Sequence, residues 1–583
     1  MDELPPNFSH LLTTNYAPLP LEEAQAKHEL QKVTEAIIRL QSELRVFEAR
    51  RQECLQVLSP FRRIPSEILG QIFAYHSGKE DLGTLSLVCR NWRQAALSHP
   101  HLWSELTLEP SELSYHNMVT WLERSGSIRK SISLCRDNDE DVRCTRTSCH
   151  LTSPAVIKLL TTSRVTIDTL FLELHGPRCY KRLLNNLNAI TPEPQYRAWD
   201  ALRSLHLMFD EDVWGTWVGQ VVDKPFVLNG LPNLTSLSLQ LPDAEETFPE
   251  TMHQAQASLQ IAPAVLERLT SLQITCNWQG LHILRILQSC TSLENLDIEF
   301  YWTDILNEGP GALPEFSPSS LALPKLHLLR LRHHPSLDIL KYLVTTNLSV
   351  LDIGFDGVCR SAGDGGGMVL LPEQSIRRLK EFVCGPSKCS RTLRTLRLYN
   401  AVFNPTDLCF VIQMFPLLRH LILDKISPTN LTDSIFGSLL AARKVELAGR
   451  RAENERSTGG RVDGPSGEEE ARLEDEGENT TEPERNRCTF LPLLEELELL
   501  EVEIRLAPQN FSAISSFLEM RGTRRCQVTV SFSPSFFPGP DGVVEEYWED
   551  DELPYKIPYD SASMPQNLGS FLRIVPRVDY FDP

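Results

Sequence analysis

Leu293-Glu294-Asn295-Leu296-Asp297-Ile298 is the stretch on which the fold turns. Leu296 and Ile298 stand two residues apart, the period of a β-strand, so both side chains leave on one face and Asp297 leaves on the other. Leu293, three residues earlier, belongs to the turn that enters the strand. The same L-x-x-L-x-L spacing occurs as Ile167/Leu170/Leu172, Leu202/Leu205/Leu207, Leu234/Leu237/Leu239 and Leu269/Leu272/Ile274. It continues as Leu326/Leu329/Leu331, Leu348/Leu351/Ile353, Leu393/Leu396/Leu398, Leu418/Leu421/Leu423 and Leu494/Leu497/Leu499. Successive copies are 35, 32, 35, 24, 33, 22, 45, 25 and 76 residues apart.

A unit this short cannot close its own core, so neighbouring units must stack. The shorter steps fit a leucine-rich repeat of ~20–29 residues, and the longer ones require insertions. The asparagine expected three residues beyond the strand occurs only at Asn277, which predicts irregular repeats. The alternative is a parallel α/β sheet that is not a solenoid. The expected fold class is mixed α/β: an N-terminal helix and a small all-α unit, then an irregular leucine-rich-repeat solenoid with a parallel sheet over 109–440, resuming at 489–530 as the last repeat.

Upstream, residues 1–20 hold four prolines and read as irregular. Over 21–58, Leu30, Val33, Ile37, Leu40, Leu44 and Phe47 alternate spacings of three and four, and Arg51, Cys54 and Leu58 continue the register. This heptad seam predicts an amphipathic helix. It suits a homodimeric coiled coil, docking of a partner helix, or folding back on its own chain. Residues 59–108 then contain two or three short helices. Pro65 favours a helix start. Ile68, Leu69, Ile72 and Phe73 form one apolar face, and Leu82, Leu85, Val88, Cys89 and Trp92 form a second. So small a unit with so many large apolar residues leaves some of them for a partner.

These residues resemble an F-box: Ile64-Pro65-x-x-Ile68-Leu69-x-x-Ile72-Phe73, then Leu82-x-x-Leu85-x-x-Val88-Cys89-x-x-Trp92. His99-Pro100-His101-Leu102-Trp103, the heptad helix and Thr13-Thr14-Asn15-Tyr16-Ala17-Pro18 are similar to F-box-like proteins of mushroom-forming fungi. Ile64 stands where leucine is commoner. The resemblance implies a chain that binds the Skp-type adaptor of a cullin-RING ubiquitin ligase and recruits a protein substrate. It carries the adaptor contact to Pro65, Ile68, Leu69, Ile72, Phe73, Leu82, Leu85, Val88 and Trp92, although some of these, Trp92 foremost, must form the domain's own core. The alternative is a non-catalytic leucine-rich-repeat scaffold that assembles no ligase.

Substrate recognition is expected on the strand face opposite the leucines. Its row reads Phe171, His206, Ser238, Gln273, Asp297, Arg330, Asp352, Arg397, Ile422 and Glu498, with Glu299, Arg332 and Tyr399 one step further along their strands. Asp297, Glu299, Arg330, Arg332, Asp352, Arg397 and Tyr399 form a charged docking site on this reading. Arg330, Arg332 and Arg397 suit an acidic or phosphorylated segment. The plainer alternative is that these charges neutralise one another.

Charge limits the partners. The chain carries 57 basic and 77 acidic side chains, a net of −20, which disfavours nucleic acid and anionic membranes. Residues 450–487 contribute −5 and residues 541–552 contribute −7. The segment 441–488 is too polar to offset its ordering entropy and reads as a disordered charged insertion; 531–583 reads as an acidic tail or cap. No secretory signal or membrane span is evident, and the 14 cysteines have no CxxC pair, so free thiols and a cytoplasmic or nuclear location are expected.

No phosphate loop, dinucleotide fingerprint, zinc-protease motif or nucleophile elbow is present, so no catalysis and no cofactor are expected. Gly363–Gly367 lacks the lysine of a phosphate loop. Cys135, Cys144, Cys149 and His150 lack paired zinc-knuckle spacing and read as loop thiols. His333-His334 and Cys384/Cys389 are weaker still, and no metal is expected. Deleting 452–486 should leave the thermal midpoint nearly unchanged; loss of cooperative unfolding on calorimetry would show the segment to be packed.

Overall fold

The computed structural model describes residues 9–76, 81–108, 114–135, 150–190, 197–209, 226–228, 230–242, 259–276, 282–300, 316–333, 337–355, 373–401, 405–426, 491, 493–500, 526–532 and 572–576. The expected insertion at 441–488 lies outside them, as do Asn277, Cys144, Cys149 and Gly363–Gly367. The chain divides into two compact units, Met1–Trp103 and Ser104–Pro583.

The first unit is helical: α1 (Ser9–Thr13), α2 (Pro20–Leu58), α3 (Ser66–His76), α4 (Asp81–Val88) and α5 (Arg90–Leu97), with 3₁₀ turns at Pro60–Arg63 and Pro100–Trp103. Helix α2 begins with Pro20 at its first position. The Leu19 N–H donates to the Glu22 carboxylate at 2.8 Å, and Glu22 and Glu23 place negative charge at the positive end of the helix. Ser59-Pro60 ends it, because proline disfavours helical backbone in the residue before it. None of its residues is buried.

The second unit holds strands β1 (Glu105–Leu108), β2 (Ser131–Leu134), β3 (Thr169–Leu174), β4 (Ser204–Phe209), β5 (Phe226–Leu228), β6 (Ser236–Gln240), β7 (Leu259–Ile261), β8 (Ser271–Cys276) and β9 (Asn295–Phe300). They continue with β10 (Leu321–Ala322), β11 (Leu328–Arg332), β12 (Leu343–Val344), β13 (Val350–Gly354), β14 (Thr395–Ala401), β15 (His420–Ile426), β16 (Glu496–Leu500), β17 (Gln527–Phe532) and β18 (Leu572–Pro576). Fourteen of them form one sheet in the order β1-β2-β3-β4-β6-β8-β9-β11-β13-β14-β15-β16-β17-β18. Every neighbouring pair is parallel, for example β9 with β11 and β14 with β15. The pairs β5–β7 and β10–β12 are separate two-stranded parallel sheets.

The register explains the sequence pattern. Leu170, Leu205, Leu237, Leu272, Leu296, Leu329, Leu351, Leu396, Leu421 and Leu497 are direct cross-strand neighbours in turn. The last apolar residues of the units form a second column, and the first residues, such as Leu293 and Leu326, lie in the turns before the strands. All three positions are buried, none more than 3% exposed, in one continuous core. Helices between strands, such as Pro154–Thr161, Pro177–Ala189 and Glu373–Cys384, add Leu159, Leu183 and Leu379 to that core.

Four strands of the sheet lie outside the ten units. Leu106/Leu108, Ile132/Leu134, Val528/Val530 and Leu572/Ile574 keep the alternation, but the position three before is Trp103, Arg129, Arg525 or Gly569. The expected 59–108 segment therefore takes in β1, and the expected 531–583 tail contains a paired strand. Among the described residues, Asn400 joins neighbouring strands. It adopts a left-handed φ of 55°, and its side-chain amide donates to the Phe355 carbonyl at 2.9 Å.

Among the described residues, no helix is long and apolar enough to cross a membrane. Leu296→Ala should lower unfolding stability by about 2–5 kcal/mol, because it removes a wholly buried column member and leaves a cavity. A urea titration with an unchanged midpoint would contradict the packing.

Candidate functional site

Two arrangements can meet a partner. The first is the helical unit after α2. Helix α3 carries two adjacent apolar stripes. Leu69 and Phe73 lie one turn apart and are 1% and 2% exposed. They pack in the unit's core, where Leu82, Ala95, Ala96 and Trp103 are also buried. Ile68 and Ile72, one residue earlier in each turn, are each 46% exposed, and Tyr75 extends that stripe fully into solvent. A helix with 3.6 residues per turn displays both stripes at once, one inward and one outward.

The core is tied by polar contacts. The Leu69 N–H donates to the Pro65 carbonyl at 3.0 Å, so Pro65 stands just before the helix and supplies its first acceptor. The Cys89 thiol caps α5 by accepting from the Trp92 N–H at 3.5 Å. The Trp103 indole donates to the Ala96 carbonyl at 2.8 Å. A Cβ at Gly70 would collide with the His99 ring, whose Nδ1 is hydrogen-bonded to the Ala95 carbonyl, so this helix–turn approach requires glycine. The half-buried Trp92 ring packs against Phe73 at 5.1 Å and edge-on to Phe61 at 6.4 Å between centroids.

This geometry separates the expected adaptor residues. Leu69, Phe73 and Leu82 are withdrawn into the core, a correction to their expected place on the contact surface. Their burial is what holds so small a unit together. Trp92 is shared between core and surface, as is Leu85. Pro65, Ile68, Ile72 and Val88 remain exposed. Tyr75 and Leu87 join them and were missed, although Tyr75 continues the Ile68–Ile72 spacing.

The second arrangement is the outward sheet face. The strands do place the expected charged row side by side, but its members face one another. Arg330 Nε lies 3.0 Å from Asp352 Oδ2 on one neighbouring strand, and its Nη1 lies 3.4 Å from Asp297 Oδ2 on the other. Arg332 reaches the same Asp352 oxygen at 3.6 Å. Arg397 bridges Asp352 at 4.0 Å and Asp424 at 2.9 Å. Glu299 pairs with His333 at 3.2 Å and accepts from the Thr275 hydroxyl at 3.2 Å. Lys425 lies over the Tyr399 ring, 5.6 Å from its centroid. Asp352 and Asp424 are buried, so neither offers a free carboxylate to a ligand. Burial pushes the Asp297 carboxyl up to about 6, outweighing the pull of Arg330 and Arg332.

Toward the N-terminal end the row is uncharged. Phe171 stacks on His206 at 3.9 Å, and Phe171 and the nearby Met208 are exposed. Toward the other end, His420, Glu496 and Glu498 gather ligand atoms within 4.8 Å. These groups could hold a divalent cation, but His420 Nε2 already contacts Glu498 Oε1 at 2.8 Å and Glu496 Oε2 at 3.6 Å. The cluster escaped sequence reading because 78 residues separate His420 from Glu498. Cys135 of the expected thiol cluster is half-buried, Cys384 is exposed and Cys389 is buried.

Among known protein families, residues 61–109 match the F-box-like family, and these residues form an F-box-like domain. No curated protein matches the chain. Domains of this family bind Skp-type adaptors.

The hydrogen bond to Glu498 raises the His420 pKa above the usual imidazole range, and the same bond lowers Glu498. The folded-state His420 value exceeds the unfolded one, so its contribution is complete below the ordinary imidazole pKa and is lost as pH rises through the raised value. Glu498→Gln should return the His420 titration toward the ordinary range by NMR. The stability difference between variant and parent should shrink as pH rises through that window, leaving the part that Glu498 owes to Arg397; a difference that does not change with pH would contradict the pairing.

Proposed function

We propose that the chain is an F-box substrate receptor of a Skp-cullin-F-box ubiquitin ligase. The observation that carries this reading is the outward stripe of α3 within a domain of the F-box-like family. Pro65, Ile68, Ile72 and Tyr75, with Val88 nearby in the motif, supply apolar surface to the adaptor, while Leu69, Phe73, Leu82 and Trp92 keep that surface in shape. Ubiquitin transfer itself takes place on the partner enzymes, and the chain performs no chemistry. It acts in the cytoplasm or nucleus.

The large parallel sheet supports a second half to the reading. Ten in-register L-x-x-L-x-L units are what an irregular leucine-rich-repeat solenoid requires, and such a surface recruits the protein substrate. The charged ladder from Asp297 to Asp424 serves that surface mainly as a rigid, self-neutralised panel. Phe171, His206 and Met208 offer the substrate an aromatic and apolar foothold, since exposed aromatics with a polar edge are favoured at protein contacts.

Fully burying one isoleucine contributes roughly 1.5–3 kcal/mol, and about half of each of these side chains is still exposed. Ile68→Ala with Ile72→Ala should therefore weaken adaptor binding by roughly tenfold to a hundredfold. Isothermal titration with purified Skp-type adaptor measures this, with circular dichroism confirming an intact helical unit. Unaltered affinity would refute the assignment. Leu69→Ala should instead destabilise the domain itself.

A further inference from the structure

Helix α2 is the longest helix described, and its apolar seam has no cover. Leu30, Val33, Ile37, Leu40, Leu44 and Phe47 are all exposed, from 48% to 71%. Six large apolar groups on one stripe, with Ile38, Val46, Leu55 and Val57 exposed off it, need a partner. Positions a are Glu23, Leu30, Ile37, Leu44, Arg51 and Leu58, and positions d are Ala26, Val33, Leu40, Phe47 and Cys54. The flanking charges then discriminate between the arrangements the seam allows.

In a parallel, in-register pair, Arg51 would face the partner's Arg51, and Glu43 would face the partner's Glu48 on both sides. In an antiparallel pair with Ile37 opposite Leu40, the core layers are Leu30–Phe47, Val33–Leu44 and Ile37–Leu40, each occurring twice. Arg51 then faces Ala26, which leaves room for its stem to reach water. Lys27 meets Glu48 and Glu29 meets Arg50, again twice each, and Thr34 meets Gln41. No like charges meet. Sliding the antiparallel pair by one heptad in either direction brings Glu43 against Glu43 or against Glu29. For two copies of this chain, the charges therefore select one direction and one register.

We propose that α2 joins two copies of this chain as an antiparallel coiled coil with Ile37 opposite Leu40. The present pairs Lys27–Glu23, Lys32–Glu29 and Arg50–Glu53 lie within the helix and are exposed, save for the half-buried Glu29. Exposed pairs of this kind are weak and exchange easily for pairs between chains. The F-box-like domain begins just after α2, so the dimer carries one such domain at each end of a two-helix rod. Two linked sites bind a multivalent substrate with gain in effective concentration.

Light scattering of the full chain should give the mass of two chains; a single-chain mass overturns the proposal. Oxidative cross-linking reports direction. A parallel dimer brings the two Cys54 thiols together, whereas the antiparallel register holds them about 46 Å apart at 1.5 Å per residue. Glu23→Cys should therefore link to the partner's Cys54, and this product should vanish in Cys54→Ser. A native Cys54–Cys54 link overturns the antiparallel register. Arg50→Glu should weaken dimerisation by about tenfold, and Glu29→Arg added to it should restore the dimer. Failure of the second change to rescue overturns the pairing, while circular dichroism confirms that both variants keep the helix.

Discussion

One column of backbone hydrogen bonds orders the large unit. Just before the strands, the Asp168 N–H donates to the Lys130 carbonyl, Arg203 to Asp168, Thr235 to Arg203 and Thr270 to Thr235. The column runs on through Glu294, His327, Ser349, Arg394, Arg419 and Glu495 to Gln527, every bond between 2.7 and 2.9 Å. It pins each strand to the last with no slip. A slip of one residue would turn the leucines outward and the charges inward. The leucine columns, the outward charged row and the strand order all follow from that register, and so do the insertions, which are expelled to the connections between strands.

The charged ladder shows how such a register treats ions. Parallel strands lie ~4.8 Å apart, so oppositely charged rows on successive strands are within reach of one another. Arg330 and Arg397 each sit between acids on both flanking strands, and Asp352 is shared among three arginines. Burying these groups is costly unless they are paired, and alternation along the sheet supplies the pairing. Asp297 shows the residual cost, since its carboxyl is pushed up despite two nearby arginines. Charge here serves the sheet before it serves a ligand.

The helical unit solves the opposite problem. It has too little volume to bury all its apolar residues, so α3 divides them between two stripes. Gly70 permits the His99 turn to close against the helix, and Trp92 bridges core and rim. What remains outside is a compact apolar surface on a small, internally packed domain, the form of site expected for binding one fixed partner.

Much of this was legible in the sequence because it rests on local spacing. The alternation at Leu296 and Ile298 makes an inward column whatever the neighbours are, and ten copies of it require stacked parallel strands. The heptads of α2 and the F-box-like spacing from Ile64 to Trp92 were equally plain, since three or four residues set a helix face. Other features depended on residues distant in the chain. Spacing could not tell Leu69 from Ile68, because burial depends on where α4, α5 and Trp103 pack. It could not reveal β1, β2, β17 and β18, whose leading apolar position is occupied by other residues. Nor could it decide between docking and neutralisation for Arg330, or bring His420 to Glu498 across 78 residues. Those outcomes follow from register and packing, which fix distances between side chains that the sequence only puts in order.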